Sequence, residues 1–211
     1  KLAEKRDKIP TNVDKPLTFW LKFIYGRVSG ITTGTTWNAE IVNDRDKFII
    51  PEHNTGIAYV LNTMHDNTLG TNQRQTMKID PRYQDTAYYS NGNYGVTYNI
   101  NIPFYNNTKE QREVKISFDT PIRLPENQPQ KEISFYRTPP EKVFFRGELR
   151  VKYKSYFGFE KEKYFHLVQR SGQKGDNLLT LILDPEEVRN INLSFVYPAD
   201  ATAPHVLTIE G

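Results

Sequence analysis

The sequence predicts an all-β fold: an antiparallel β-sandwich of immunoglobulin-like or jelly-roll-like character, with long loops. Three observations predict it. Between Gly92 and Pro121 the side chains alternate. Val96, Tyr98, Ile100, Ile102 and Phe104 point one way, and Thr97, Asn99 and Asn101 the other. Beyond Asn106-Asn107-Thr108, Val114, Ile116 and Phe118 oppose Lys115, Ser117 and Asp119. A period of two marks half-buried strands, because successive side chains leave opposite faces of the pleat. Second, apolar stretches of strand length recur roughly every 8 to 15 residues with turn chemistry between them. Third, aromatic residues make up 13% of the chain, which includes 13 Tyr and 12 Phe, and strands favour such side chains.

Residues Lys1 to Pro16 are polar, contain Pro10 and Pro16, and read as an extended arm or linker. The sandwich domain spans 17–211, with its strand core mainly in 92–211. Phe19, Leu21, Phe23 and Tyr25 alternate, and Val28 to Ile31 extends that strand. Trp37, Ala39 and Ile41 form the next. Phe48 to Ile50 and Ile57 to Leu61 follow. Met64 to Tyr89 reads as one long irregular loop, with a turn at Asp80-Pro81. The alternating stretches at either side of Asn106-Asn107-Thr108 read as a hairpin, and Pro121 to Pro140 as a Pro-rich crossing. Val143 to Tyr153 is a strong strand, paired through a turn at Gly158 with Tyr164 to Gln169. Gly172 and Gly175 mark another turn. Leu178 to Leu183, Arg189 to Tyr197 and His205 to Ile209 complete the set. Ile100, Ile102, Val114, Ile116, Leu149, Val151, Leu181, Leu193 and Phe195 are the expected core, while Lys115, Arg150, Lys152 and Asn192 face water.

Composition excludes several classes. The 28 basic and 25 acidic residues leave a net charge of only +3, so nucleic acid is not an expected partner. No apolar run approaches the roughly 20 residues of a transmembrane helix. The chain has no cysteine, which removes disulfides, zinc–thiolate sites and thiol nucleophiles. The 4 histidines show no ligand spacing, and His53, His65, His166 and His205 read as loop residues. No nucleophile elbow or phosphate loop occurs. No catalytic residue, metal or cofactor is assigned.

Surface readings are more open. On the strand from Val143, the outward side chains are Lys142, Phe144, Arg146, Glu148, Arg150, Lys152 and Lys154. This basic ladder could meet an acidic polysaccharide or lipid headgroups. The preferred explanation is that it protects an exposed edge strand from pairing with other chains. Trp20, Trp37, Tyr88, Tyr89 and Tyr94 are candidates for stacking on sugar rings. In the long loop, Tyr83, Tyr88 and Tyr89 offer stiff amphipathic surface, with His65, Arg74 and Arg82 as donors. These six form the candidate binding site, unless the tyrosines only cap the end of the sandwich.

The segments GRVSG from Gly26, DTAYYSNGNYGVTYNINIPFYNNT from Asp85, FDTPIR from Phe118, FFRGELRVKY from Phe144, HLVQRSGQKG from His166 and FVYPADATAPHVLTIEG from Phe195 resemble a family of uncharacterised cyanobacterial proteins. That family carries a domain of unknown function. The likeness runs in order from Ile24 to Gly211. It implies a longer secreted or periplasmic protein with a signal sequence, of which this chain is the C-terminal half. The missing N-terminal half would then be one partner. The resemblance brings no site residues. Gly95 and Gly147 within it read as places where strands bend or bulge. The expected function is a non-enzymatic cell-envelope or extracellular binding or structural protein. Its partners would be an envelope polymer, a surface protein or copies of itself. The alternative is a carbohydrate-binding or carbohydrate-active module.

Overall fold

The computed structural model describes residues 30–32, 36–62, 76–82, 89–91, 95–122, 132–198 and 201–211. The arm at Lys1 to Pro16 and the alternation from Phe19 to Tyr25 lie outside these residues. The described residues contain strands and turns and no helix, so none is long and apolar enough to cross a membrane. The strands are β1 (Gly30–Thr32), β2 (Thr36–Glu40), β3 (Phe48–Ile49), β4 (Gly56–Asn62), β5 (Thr76–Arg82), β6 (Tyr89–Asn91) and β7 (Thr97–Tyr105). They continue with β8 (Arg112–Asp119), β9 (Val143–Lys154), β10 (Glu160–Arg170), β11 (Asn177–Leu183), β12 (Val188–Val196) and β13 (His205–Glu210).

Two sheets share the core. One is six-stranded, ordered β10-β9-β12-β7-β2 with β3 also on β7; the other is four-stranded, ordered β11-β8-β13-β4. All nine residues expected in the core are buried, each at most 5% exposed. Of the four expected outside, Lys152 is exposed and Lys115, Arg150 and Asn192 are half-buried. Aromatic rings bridge the sheets. Phe118 on β8 lies 4.5 Å from Phe145 on β9 and meets Phe195 on β12 edge-on at 6.0 Å. Tyr98 stacks on Phe195 at 4.9 Å, and its hydroxyl donates to the Leu61 carbonyl at the end of β4.

The expected hairpin of β7 with β8 does not form. β7 pairs with β12, and β8 with β11 and β13. Residues 106–111 instead carry the chain from one sheet to the other. Asn106, 1% exposed, makes that arch possible. Its Nδ2 lies 2.7 Å from the Glu110 carbonyl, 3.1 Å from that of Leu183 and 3.0 Å from that of Asp184. Its Oδ1 accepts from the Thr108 amide and hydroxyl. The side chain thus satisfies backbone groups that a sheet ladder would otherwise pair.

The antiparallel expectation also fails on one side. β2 and β3 run parallel to β7. Between them the chain enters the opposite sheet as β4, and such a long crossover is what parallel neighbours require. Asn43 joins the broken edge, donating to the Ile49 carbonyl at 3.0 Å and accepting from its amide at 2.7 Å. The long loop from Met64 is not wholly irregular either. β5 lies between β1 and β6 in a separate three-stranded sheet. Pro81 falls where the β1–β5 register shifts between Gly30↔Arg82 and Thr32↔Ile79, a place where a ladder tolerates a missing N–H. Gly95 takes φ 77° just before β7. Gly147 sits in regular register opposite Leu167. Its constraint is the Phe145 ring, which a Cβ there would meet at 3.1 Å.

His205 is core rather than loop, fully buried between Phe118, Phe145 and Tyr197. Its Nε2 lies 3.3 Å from the Phe144 carbonyl, which can only accept, so that nitrogen carries the proton. Nδ1 then accepts from the Tyr197 hydroxyl at 2.6 Å. Burial lowers the pKa from 6.5 to about 4. Asp119 is buried as well. It accepts from Ser117 at 3.0 Å, Thr208 at 2.5 Å and the Gly175 amide at 2.6 Å. Burial nonetheless raises its pKa above the ordinary carboxylate value.

Two outcomes follow. Asn106→Ala strands buried carbonyls and should lower unfolding free energy by about 3 kcal/mol, whereas Asn107→Ala should leave it nearly unchanged; urea denaturation measures both. For His205, the unfolded chain takes up a proton below pH 6.5 but the folded chain only below about 4. Its contribution is therefore complete above pH 6.5 and is lost as pH falls to about 4, by about 3 kcal/mol in all. Asp119 acts with the opposite sign, since ionising it costs more in the folded chain. Urea midpoints measured between pH 7 and 4 should fall, and His205→Gln should flatten that slope.

Candidate functional site

The register of the six-stranded sheet sets its outward side chains in rows. One row runs Glu162, Lys152, Asn192, Asn101, Glu40 from β10 to β2; the next runs Tyr164, Arg150, Ser194, Asn99, Asn38. Each strand supplies these residues at alternate positions, while Val151, Leu193 and Ile100 turn inward between them. The amides interlock across strands. Asn192 Nδ2 donates to Asn99 Oδ1 at 2.8 Å, and Asn99 Nδ2 donates to Asn38 Oδ1 at 2.8 Å. Asn101 Nδ2 donates to Glu40 Oε1 at 3.1 Å. Side chains held this way keep their remaining polar groups aimed at solvent in fixed places.

At the β10 side the ladder becomes charged and aromatic. Glu162 lies 3.7 Å from Arg150 and 3.5 Å from Lys152, and accepts from the Tyr164 hydroxyl at 3.0 Å. That hydrogen bond, chiefly, raises the Tyr164 pKa above the ordinary phenol value. The Tyr164 ring is 60% exposed. The Arg150 Nε is buried without a hydrogen-bond partner, while the same guanidinium reaches Glu162 and Tyr164. A cleft of about 480 Å³ opens beside this patch. Asn101, Lys152, Lys154, Tyr156, Asn190 and Asn192 are among its walls. At its end Arg189, 5% exposed, is paired with Glu187 through both Nε and Nη2.

The four-stranded sheet presents less. The segment 132–136 crosses its outer face, held by Ile122 N to Ser134 O at 2.9 Å and Tyr136 N to Gly172 O at 2.8 Å. Gly172 takes φ 64°, and a Cβ there would lie 2.2 Å from the Tyr136 ring. A groove of about 590 Å³ remains between this segment and Ala58, Val60 and Val206, rimmed by the Lys174–Glu210 ion pair.

Of the six residues assigned from sequence, His65, Arg74, Tyr83 and Tyr88 lie outside the described residues. Arg82 ends β5 opposite Gly30, and Tyr89 begins β6 opposite Lys78. Among the sugar-stacking candidates, Trp37 is half-buried and packs edge-on against Tyr98 at 5.0 Å, so it belongs to the core. Trp20, Tyr88 and Tyr94 also lie outside the described residues. The basic ladder lies on β9, where the sequence puts it, but it does not guard an edge. β9 is an interior strand between β10 and β12, and its charges form a face rather than guard an edge. Among the described residues β10 is one edge of the sheet, and it carries Lys161 and Lys163 opposite Tyr153 and Val151 on its core side; such inward charges oppose further strand pairing. Sequence reasoning missed Tyr156, Phe157, Phe159 and Tyr164, which are 53%, 80%, 65% and 60% exposed. Three aromatics crowded around a turn glycine were the available signal. Among the described residues no cluster of three metal-ligating side chains occurs.

Fold and face together define an all-β protein of two packed sheets with an ordered polar surface on one of them. The chain matches the family described as "Protein of unknown function (DUF3370)" over residues 1–211, and it belongs to that family. No curated protein and no solved structure matches it.

Stability separates the exposed face from the buried pair at its end. Asn99→Ala removes solvent-accessible hydrogen bonds and should change unfolding free energy by no more than about 1 kcal/mol. Glu187→Ala leaves the buried Arg189 charge unpaired and should lower it by about 3 kcal/mol. Equal effects of the two in urea denaturation would contradict the assignment of the ladder as surface.

Proposed function

We propose that this protein is a non-enzymatic binding protein of the cell envelope, periplasmic or extracellular. It is built on a β-sandwich of immunoglobulin-like or jelly-roll-like character and holds an acidic envelope polymer on the outer face of the six-stranded sheet. The observation that carries the reading is the interlocked amide ladder of Asn38, Asn99 and Asn192, continuous with Arg150 and Lys152. A pre-ordered row of amide groups that leads into cationic ones suits an extended acidic polymer, whose hydroxyls can meet the amides while its acids meet Arg150 and Lys152. The likeness to longer, signal-bearing cyanobacterial proteins supports the envelope location.

The exposed Tyr164 beside this row favours a second reading, a carbohydrate-binding or carbohydrate-active module. Sugar rings would stack on the phenol while hydroxyls meet the amides. Glycan-array binding that depends on Tyr164, or hydrolysis of a bacterial polysaccharide, would select it.

The test of the first reading has two arms. The native protein should be recovered with the cell-wall and outer-membrane fraction. Affinity electrophoresis through an acidic polysaccharide should retard the purified chain, and Arg150→Ala with Lys152→Ala should weaken retention about tenfold, the equivalent of 1.4 kcal/mol. Purely cytosolic recovery, or mobility indifferent to the polymer, would sink it.

A further inference from the structure

Beyond the last β12 pairing, Ile191 with Tyr153, the β9–β10 hairpin continues as an overhang. Its tip is closed tightly. Ser155 N donates to the Phe159 carbonyl at 2.8 Å, Gly158 N to the Ser155 carbonyl at 2.9 Å, and Phe159 N to Ser155 Oγ at 3.2 Å. Gly158 adopts φ 81°, a conformation that only glycine takes freely. The result is a closed turn that displays Phe157 and Phe159, while the Tyr156 hydroxyl is hydrogen-bonded to Asp184 in the β11–β12 turn. The rings of Tyr156 and Phe157 meet edge-on at 5.5 Å, and Phe157 is 80% exposed.

The surroundings of the tip decide what it fits. Within the hairpin five basic side chains (Arg150, Lys152, Lys154, Lys161, Lys163) face two acidic ones (Glu160, Glu162), an excess of three; Asp184 and Glu187 lie against Tyr156 from the β11–β12 turn, with Arg189 paired to Glu187, which leaves an excess of two. The acids do not cancel the lysines firmly. The Lys154–Glu160 and Lys152–Glu162 contacts are 3.8 Å and 3.5 Å between exposed groups, and pairs of that kind contribute little. The tip offers roughly 400 Å² of aromatic surface, short of the roughly 800 Å² per partner that a stable protein interface buries. A bilayer needs no such area. Phe and Tyr rings partition into its interface, and flexible lysines reach the headgroups around them.

We propose that the β9–β10 tip docks the protein on an anionic lipid bilayer, with Phe157 and Phe159 inserted at the interface and Lys154, Lys161 and Lys163 on the headgroups. The site lies beyond the amide ladder and does not depend on polymer binding.

Co-sedimentation with vesicles of phosphatidylglycerol and phosphatidylcholine tests it. The full chain should bind these vesicles at least about tenfold more tightly than pure phosphatidylcholine vesicles, since each basic residue near such a surface adds about fivefold. Added salt should weaken the binding. Phe157→Ser with Phe159→Ser should reduce partitioning at least about tenfold at unchanged melting temperature. Lys161→Gln with Lys163→Gln should reduce it severalfold, and Phe157→Trp should give a blue-shifted emission on vesicle addition. Vesicle binding that survives the serine changes would overturn the proposal. So would binding abolished by soluble glycerol phosphate, or serine changes that abolish self-association instead. Arg150→Ala with Asn99→Ala separates the two readings. It should weaken polymer retention and leave vesicle binding unchanged; a variant that keeps full retention but still binds vesicles removes only the polymer reading, and an unmodified chain that is retained by the polymer but ignores vesicles removes only the lipid one.

Discussion

The fold depends on aromatic rings wedged between its sheets. Phe118 from the four-stranded sheet touches Phe145 and Phe195 from the six-stranded one, and Tyr98, Tyr197 and His205 close around them. Large flat rings bury much area per residue, which suits a chain only 37% hydrophobic. Their polar tips must then be satisfied inside. The Tyr98 hydroxyl meets a β4 carbonyl, and the Tyr197 hydroxyl meets His205, itself tied to the Phe144 carbonyl. The same rings that hold the sheets together therefore also fix their relative registry, because each hydrogen bond tolerates little sliding.

Joining two sheets so often forces the chain to cross between them, and the crossings are where buried polar groups collect. Asn106 occupies the crossing from β7 to β8. Asp119 and Thr120 occupy the crossing out of β8, with Thr120 bonded to the Arg170 and Gln173 carbonyls. At both places side chains take carbonyls that the ladders leave over, beside backbone bonds such as Asn106 N to the Glu187 carbonyl and Thr120 N to the Gln173 carbonyl. Gly175 must be glycine there, since a Cβ would lie 2.2 Å from the Phe118 carbonyl oxygen.

What the sequence revealed and what it hid have one physical origin. Alternation in Val114, Ile116 and Phe118 reports which face is buried, and that reading held. It carries no information on which strand lies alongside. Hence β7 and β8, adjacent in sequence and both strongly alternating, looked like a hairpin and belong to different sheets. Asn106-Asn107-Thr108 resembled an ordinary turn because nothing local distinguishes a buried Asn from an exposed one. The β9–β10 hairpin was legible because its partners are close in the chain and Gly158 marks the turn. The basic ladder was legible as chemistry, but its place in the interior of a sheet depends on β12, many residues later. The site assigned to the loop from Met64 rests on its length, its tyrosines and the donors His65, Arg74 and Arg82, none of which reports what lies beside them in space. Among the described residues the most exposed rings, Phe157, Phe159, Tyr164 and Tyr156, sit on β10 and the turn before it.

The two outer faces differ for a reason that bears on function. On the four-stranded sheet, Ser117, Asp119 and Thr208 point outward yet are buried, because residues 132–136 and the turn after β10 lie over them. Its polar groups are spent on internal bonds: Asp119 alone takes Ser117, Thr208 and the Gly175 amide. On the six-stranded sheet the corresponding positions carry Asn, Lys, Arg and Glu, bonded sideways to one another and left facing solvent. A sheet needs only one buried face to be stable. The second is free to be covered or displayed, and here the chain covers one and displays the other. Displaying a broad sheet face requires its free edge to resist adding strands, and Lys161 and Lys163 on the core side of β10 meet that requirement. The same two lysines flank the aromatic turn. One short stretch of sequence therefore keeps the sheet from growing and supplies the cations that set the chemistry of its tip.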